Sequence, residues 1–465
     1  MSVSRELKDL SQALLTSRSG KAGIIILTIV LGISIFAAIY VPFDVVAKWN
    51  EPTFWQKNPR TVAPEWGTFF LNKNLPPTID VTSADFNKNE YFVTASNLKY
   101  VTLETLISYN YDDFPSELAA IIYASYSEQR PLAIITLERP DGMKTEIYRN
   151  ILSSPVNYLY ISSDRDIKDN VKSFLLTLGV DTTRTIYPEL SLFAVKNDDM
   201  VDTRKASVLK GFYRIRIDVI AAAESDTAEA EFLIYGQVYG LAGTDSNRRD
   251  LFIGLVWGAP VALAFGLSAA IVTSIIQSLL GAISAWYGGI VDEVIQRVTE
   301  TYLILPFLPF IIMISIVFRV DIWFLIIIIV ALSLFGGVTK TARSVTFQIV
   351  NEQYIEAAQS YGASKRRILF LYIMPRLLPY IVANIVLAVP AYVFLEAALS
   401  VLGLGDPMVP TWGKLISDAY TGGAAVHGYW WWILLPAFLI MITASAFAFI
   451  GYALDKVVNP RLRER

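Results

Sequence analysis

Residues 22–41 carry no charge, and as a helix they are long enough to cross a hydrocarbon core of about 30 Å. The pattern then changes: from 42 to 250 apolar runs are short, charges are frequent and turn residues recur at short intervals. Apolar and polar positions alternate over residues 132–138 and 144–149, on either side of Arg139-Pro140-Asp141-Gly142, which predicts a β-hairpin. Ile167, Val171, Phe174, Leu175 and Leu178 fall at helical spacing, so a helix is expected over 166–178, capped by Asp164 and stopped by Gly179. Period-two alternation over 213–217 and an aromatic-rich run over 231–239 predict two strands separated by a turn near 224–227. The stretch reads as a water-soluble domain of mixed α and β structure. Its paired acids, Asp112-Asp113 and Asp198-Asp199, sit in turn-like polar segments and read as solvated.

From 251 onward the apolar blocks return. Residues 251–286, 301–318, 322–338, 377–402 and 430–454 predict five further spans, six in all. The first of these exceeds one perpendicular crossing, so we expect a tilt, a kink at Pro260 or an interfacial stretch. Pro306, Pro309, Pro390 and Pro436 lie inside apolar runs and read as kink formers. The expected fold class is an α-helical polytopic membrane protein of six transmembrane helices carrying a large inserted α+β domain.

Charge orients these blocks. Arg5, Lys8, Arg18 and Lys21 precede the first span; Arg297, then Lys340, Arg343, Lys365, Arg366, Arg367 and Arg376, and finally Lys456, Arg461, Arg463 and Arg465 fall in alternate connections. The positive-inside rule places these segments in the cytoplasm. The resulting organisation is a cytoplasmic segment 1–21, a first transmembrane helix 22–41, an extracellular soluble domain 42–250, a transmembrane domain 251–456 and a cytoplasmic tail 457–465. Residues 41–250 hold 22 Lys and Arg against 29 Asp and Glu, a net −7 that leaves +4 for the rest of a chain whose total is −3. The first span is read as retained: Ala37 and Ala38 would suit a signal cleavage, but the apolar run is longer than a usual signal core. Trp323, Trp412 and Trp430-Trp431-Trp432 fall at outer ends of spans, where indole rings favour the headgroup level. The composition, 54% hydrophobic and 17% charged, agrees with a membrane protein. With no Cys and the single His427, thiol chemistry, disulfides and multi-His or Cys metal sites are excluded, and no basic block suggests nucleic acid.

The least membrane-like part of the second half is the segment 343–375. Tyr354, Ala357, Ala358 and Tyr361 recur at i, i+3, i+4 and i+7, which predicts an amphipathic helix stopped by Gly362. Ser364 then caps a second short helix whose first turn is Lys365-Arg366-Arg367 and whose later residues Ile368, Leu369 and Phe370 are apolar. By composition this cytoplasmic helix-turn-helix suits either lipid headgroups or a docked protein. Glu396 is the one acid deep inside an apolar run, a placement that costs ~2.5–3.5 kcal/mol. It reads either as an interhelical hydrogen-bond partner or as a pathway-lining residue near the outer gate.

Glu356-Ala357-Ala358-x-x-x-Gly362, followed by Tyr372-Ile373-Met374-Pro375, resembles the EAA–Gly–I-x-L-P signature of the membrane subunits of binding-protein-dependent ABC importers. Gly243-Thr244-Asp245 with Arg249-Asp250, the run from Trp286 to Glu293, and Leu395-Glu396-Ala397-Ala398-Leu399-Ser400-Val401-Leu402-Gly403-Leu404-Gly405 point to the dipeptide/oligopeptide permease family within that class. Arg248 stands where the family usually has Gly, and the domain 42–250 is far longer than the usual connection. The resemblance implies a type I importer permease fold. It also implies a second homologous permease subunit, two cytoplasmic ATP-binding subunits and an extracellular solute-binding protein as partners, beside membrane lipid. Residues Glu356, Ala357, Ala358, Gly362, Ser364, Lys365 and Arg366 would then form the coupling surface for an ATPase, the reading that now outweighs lipid. No GxxxxGK[ST] loop occurs, so no cofactor is expected on this chain and ATP belongs to partner subunits. The implied solutes are di- and oligopeptides, with oligosaccharides or nickel as alternatives. A secondary transporter would call for ion-coupling charges in broken midplane helices. A membrane-anchored receptor would leave the last 200 residues or so without a role. For the outer domain two roles stay open, a docking platform for the binding protein and a receptor for the solute itself.

Overall fold

A computed structural model of the chain describes residues 11–458 apart from 13, 72, 95, 96, 128, 319–321, 406 and 407. Arg5, Lys8, Arg461, Arg463 and Arg465 lie outside the described residues, as do the side chains of Trp323 and Lys456. Two units emerge, one of residues 1–50 with 253–465, the other of residues 51–252. Helix α1 (Arg18–Tyr40) opens the first unit, with Ser17 Oγ accepting the Gly20 N–H at 3.0 Å as its N-cap.

The unit 51–252 is built on nine strands: β1 (Ile79–Val81), β2 (Asn87–Val93), β3 (Leu98–Tyr109), β4 (Glu117–Ser125), β5 (Leu132–Glu138), β6 (Lys144–Ile151), β7 (Val156–Leu159), β8 (Gly211–Ala221) and β9 (Thr227–Tyr235). They form a four-stranded sheet in the order β1-β9-β4-β7 and a five-stranded sheet in the order β2-β3-β8-β5-β6. Alternate residues of both sheets, such as Leu103, Ile135 and Ile217 from one and Ile122, Phe232 and Ile234 from the other, enter one core. Helix α2 (Arg165–Thr177) adds Ile167, Val171 and Leu175 to it. The expected hairpin is β5–β6, and α2 starts from Asp164, whose Oδ1 accepts the Ile167 N–H at 3.0 Å. The two strands expected around 224–227 both form, but β8 and β9 enter different sheets. Period-two alternation specifies a half-buried strand without naming its neighbour, so only the packed sandwich decides that this turn crosses between layers.

The unit ends in a tight turn, closed by a bridge between Thr244 and Asp250. Asp245 accepts the Arg249 N–H at 2.9 Å and its Nε at 2.5 Å. Arg248, at the position where the resemblance expects Gly, has φ +64°. The left-handed region costs a side-chain-bearing residue about 1–2 kcal/mol. Here the side chain offsets that cost: the guanidinium donates to Asn58 O at 2.8 Å, pairs with the Glu117 carboxylate and lies 4.5 Å from the Tyr235 ring centroid.

Asp250 closes the same turn with Oδ1 accepting the Phe252 N–H at 2.9 Å, and burial pushes its carboxyl up to about 6. A raised carboxyl stabilises the folded state only while protonated, so this contribution is full below the ordinary value of 3.8 and is lost as pH rises through about 6. Asp250→Asn retains an acceptor for Phe252 and carries no charge. At pH 7.5 the variant is therefore expected to resist unfolding of this unit better than the parent by ~2 kcal/mol, a difference that vanishes near pH 4. Hydrogen exchange of β9 and the 244–250 turn across that pH range measures it; equal protection at pH 7.5 refutes it.

The remaining helices are α3 (Leu251–Tyr287), α4 (Gly289–Ile304), α5 (Phe307–Phe318), α6 (Ile322–Leu332), α7 (Gly337–Val350), α8 (Gln353–Ser360), α9 (Lys365–Val401), α10 (Trp412–Thr421) and α11 (Trp430–Val458). Four of the described helices, α1, α3, α9 and the stretch Trp430–Asp455 of α11, are each long and apolar enough to cross a membrane. Six crossings result only if two bent pairs each count as one: α4 with α5, at 81°, and 326–332 with α7, at 50°. The expected spans 301–318 and 322–338 are thus not single helices. The first breaks at Leu305-Pro306, where proline removes an N–H donor, and the second ends at Leu332, with α7 starting afresh at Gly337. Helix α3 runs unbroken through Pro260 for 37 residues, about 55 Å.

The tryptophans correct a second expectation. Trp412 is buried and donates its indole N–H to Leu255 O at 2.8 Å, and Trp431 and Trp432 are also buried. Trp430 alone of these is exposed. The expected belt of indoles at the headgroup level is instead largely helix-packing core, because Trp412 lies against α3 at Leu255 and Gly258 and Trp432 against Gly422 at the end of α10.

Candidate functional site

The segment 337–376 is assembled by local rules that the sequence carries. Helix α8 ends at Ser360 with Tyr361 as its C-cap, and Gly362 comes next with φ +78°. Its N–H donates to Gln359 O at 2.9 Å and the Ala363 N–H to Ala358 O at 3.0 Å, the two bonds of a Schellman stop. No other atom lies within 4 Å of where a Cβ on Gly362 would stand, so glycine is needed there for its backbone angle and not for space. Ser364 Oγ then accepts the Arg367 N–H at 3.3 Å, the expected N-cap. The helix that Ser364 caps is not the separate short one expected. Lys365–Ile368 runs through a π-turn at Leu369–Ile373 into Met374–Val401, and Pro375 sits where the wide turn gives way to regular helix.

The buried stripe of α8 is displaced from the expected one. Ile355 and Ala358 are buried, against Ala282 of α3 and Ile368, Leu369 and Ile373 of α9, whereas Ala357 is exposed and Tyr361 is 92% exposed. A helix of eight residues satisfies two neighbouring stripes equally, and the packed surface beneath chooses between them. Glu356, Ala357, Tyr361 and Gly362 consequently form an outward knob, continued by the exposed Ser364, Lys365 and Arg366. Ala358 alone among the predicted site residues of this segment belongs to the base instead of the surface. The knob stands on a firm seat: Trp286 Nε1 donates to Lys365 O at 3.0 Å, and Lys365 Nζ lies 5.8 Å from the Tyr287 ring centroid.

One linkage was not read from the sequence. Arg343 on α7 pairs through both Nε, at 2.7 Å, and Nη2 with the carboxylate of Asp292 on α4. Ser284 Oγ donates to that carboxylate as well, and Gln296 Nε2 donates to Ser284 Oγ at 3.1 Å. Gly281 of α3 allows the approach of α7: a Cβ there would come within 2.5 Å of Thr339 O. The signal was an acid one turn after Gly288-Gly289, opposite an arginine otherwise counted only as a cytoplasmic charge. Together these contacts join α3, α4 and α7 just ahead of the knob.

Glu396 lies elsewhere, inside α9, and is 2% exposed. Ser400 Oγ donates to Oε1 at 2.8 Å, and the Thr411 hydroxyl is a second partner. Thr411 also caps α10, its Oγ1 accepting the Lys414 N–H at 3.0 Å.

The chain is similar to known sequences over its second half. The sequence profile of the family described as binding-protein-dependent transport system inner membrane component matches residues 277–464. The dipeptide transport system permease protein DppC of Bacillus subtilis is 32% identical over 48% of this chain and 68% of its own length. The oligopeptide transport system permease protein OppC of the same organism is 33% identical over 48% of this chain and 72% of its own. OppC of Escherichia coli K12 is likewise 33% identical, over 48% and 72%. The profile covers α4 to α11, including Asp292, Arg343 and the whole Glu356–Gly362 knob, and leaves 51–252 outside the match. This chain belongs to the family of membrane permease subunits of binding-protein-dependent transport systems.

Proposed function

We propose that the chain forms half of the translocation pathway of an ATP-driven peptide importer, beside a second permease subunit and above two cytoplasmic ATPases. The observation that carries this reading is the knob at Glu356, Ala357, Tyr361 and Gly362, exposed on top and seated on buried Ile355 and Ala358. Side chains that face out from a firmly packed base suit a surface that receives mechanical input from a partner. ATPase closure shifts α8 as a rigid piece, and the Asp292–Arg343 pair passes the shift to α4 and α3. In this reading the bent pairs α4–α5 and α6–α7 each serve as one crossing. Both termini are then cytoplasmic, and the 51–252 unit is extracellular, where it serves as a docking platform for the solute-binding protein.

Peptides are the proposed solute because the relatives DppC and OppC are permease proteins of dipeptide and oligopeptide transport systems. Co-expression with the second permease and both ATPases, reconstitution, and uptake of labelled di- and oligopeptides delivered by the binding protein test this. An assembled, ATP-hydrolysing complex that carries an oligosaccharide and no peptide would replace the solute. A chain that purifies without ATPases under every mild condition would remove the coupling role. Replacing 51–240 with a short Gly/Ser linker is expected to abolish capture of the binding protein while leaving ATPase assembly intact. Capture undiminished by that deletion rules out the platform.

Glu396 takes the structural role in this reading, joining α9 to the start of α10 through Thr411. Glu396→Gln keeps the shape and an acceptor oxygen. It is expected to lower thermal stability by ~1 kcal/mol while leaving peptide uptake within about twofold of the parent. A large fall in uptake at unchanged stability would place the carboxylate on the pathway instead.

A further inference from the structure

Large apolar side chains gather at one corner of the 51–252 unit. Phe69 is 86% exposed, Phe70 82% and Leu241 64%. Trp66 donates its indole N–H to Leu241 O at 2.8 Å and meets the Phe70 ring edge-on, 6.3 Å between centroids. The short stretch that carries them is pinned in place: Glu65 N–H donates to Gly240 O at 3.0 Å, and Gly240 N–H returns a bond to Glu65 Oε1 at 3.2 Å. The rings are thus held outward by backbone and side-chain bonds, with the indole N–H satisfied and the phenyl faces open. A contiguous, rigidly presented apolar patch of this kind marks a contact surface, and Trp and Phe side by side suit a boundary that is apolar below and wet above.

The chain itself says which boundary. Leu241 is two residues from Gly243, whose carbonyl accepts the N–H of Leu251 at 3.1 Å, and Leu251 is the first residue of α3. From that residue to Tyr287 the helix has no charged side chain. Six residues into α3, Trp257 Nε1 donates to Val41 O at 3.2 Å, and Val41 is the C-cap of α1. Leu241 is thus two residues of chain from the turn that starts α3, and the stretch carrying the rings is bonded to it and to Gly240. We propose that Trp66, Phe69, Phe70 and Leu241 form a lipid clip that inserts into the headgroup region where α3 enters the bilayer. The clip is independent of the ATPase coupling and of the solute carried.

The chain has no Cys, so Phe69→Cys and Phe70→Cys each give a single labelling position. Phe212→Cys, on the open face of the five-stranded sheet and 67% exposed, supplies the reference. The full-length variants carry an environment-sensitive fluorophore in nanodiscs of phosphatidylethanolamine and phosphatidylglycerol. The expected result is quenching at 69 and 70 by doxyl-labelled lipid, with iodide quenching about threefold weaker than at 212. Equal iodide quenching at 70 and 212 overturns the clip. So does shielding from both quenchers, which would mean that protein covers the patch.

Discussion

Gly362→Val will uncouple the transporter. A β-branched residue forced to φ +78° costs about 1–3 kcal/mol, and the cheaper alternative is to lose the two Schellman bonds that end α8. The end of the helix then unwinds, and Tyr361 and Ser364 leave the geometry that presents them on either side of the turn. Co-purified ATPase is expected to fall about tenfold or more, with peptide uptake falling with it, for a penalty above ~1.4 kcal/mol. Because open space surrounds the missing Cβ, the defect is one of backbone angle alone. Gly362→Asn, which tolerates the left-handed region, should recover most of the activity, and Gly362→Ala should fall between. If Val and Asn behave alike, the glycine matters for some other reason and the coupling turn is misassigned.

The second large effect is expected at the Asp292–Arg343 pair. Both side chains are only partly exposed, at 30% for Arg343 and 19% for Asp292, so their bond lies between a surface pair and a buried one. Removing one partner should cost ~1–3 kcal/mol, since the other is left half-buried. Arg343→Gln or Asp292→Asn is expected to assemble with the ATPases yet transport about tenfold slower per ATP hydrolysed. Exchanging the two residues, Asp292→Arg with Arg343→Asp, should restore a good part of the coupling. A structural role alone would lower assembly in each single variant and leave the ratio of transport to hydrolysis unchanged. Single variants with parental coupling would show that the shift of α8 travels by another route.

How much of the molecule was legible depended on how local the cause was. The Asp164 and Ser364 caps, the Gly362 stop and the β5–β6 hairpin were all readable, because each is decided by side chains within a few residues of the backbone groups they satisfy. The stripe of α8 was readable only to within one step of phase. Tyr354, Ala357 and Tyr361 satisfy helical spacing as well as Ile355 and Ala358 do, and nothing in the chain says which side meets α3. The tryptophans at the ends of α10 and α11 misled for the same reason: an indole near a span terminus suits a headgroup or a neighbouring helix, and the helix took it.

By itself the sequence determined that the chain is a membrane protein with a large polar insertion, which segment carries the family's signature, and the Gly362 stop and Ser364 cap within that segment. These are set by hydropathy, charge placement and short-range hydrogen bonding. Only the tertiary structure decided that β8 and β9 part into separate sheets, that Arg248 uses its side chain to offset a left-handed backbone, that Asp292 finds Arg343, and which residues of α8 face outward. Each of those depends on atoms brought together from distant positions in the chain, and packing chooses among alternatives that local spacing leaves equal in energy.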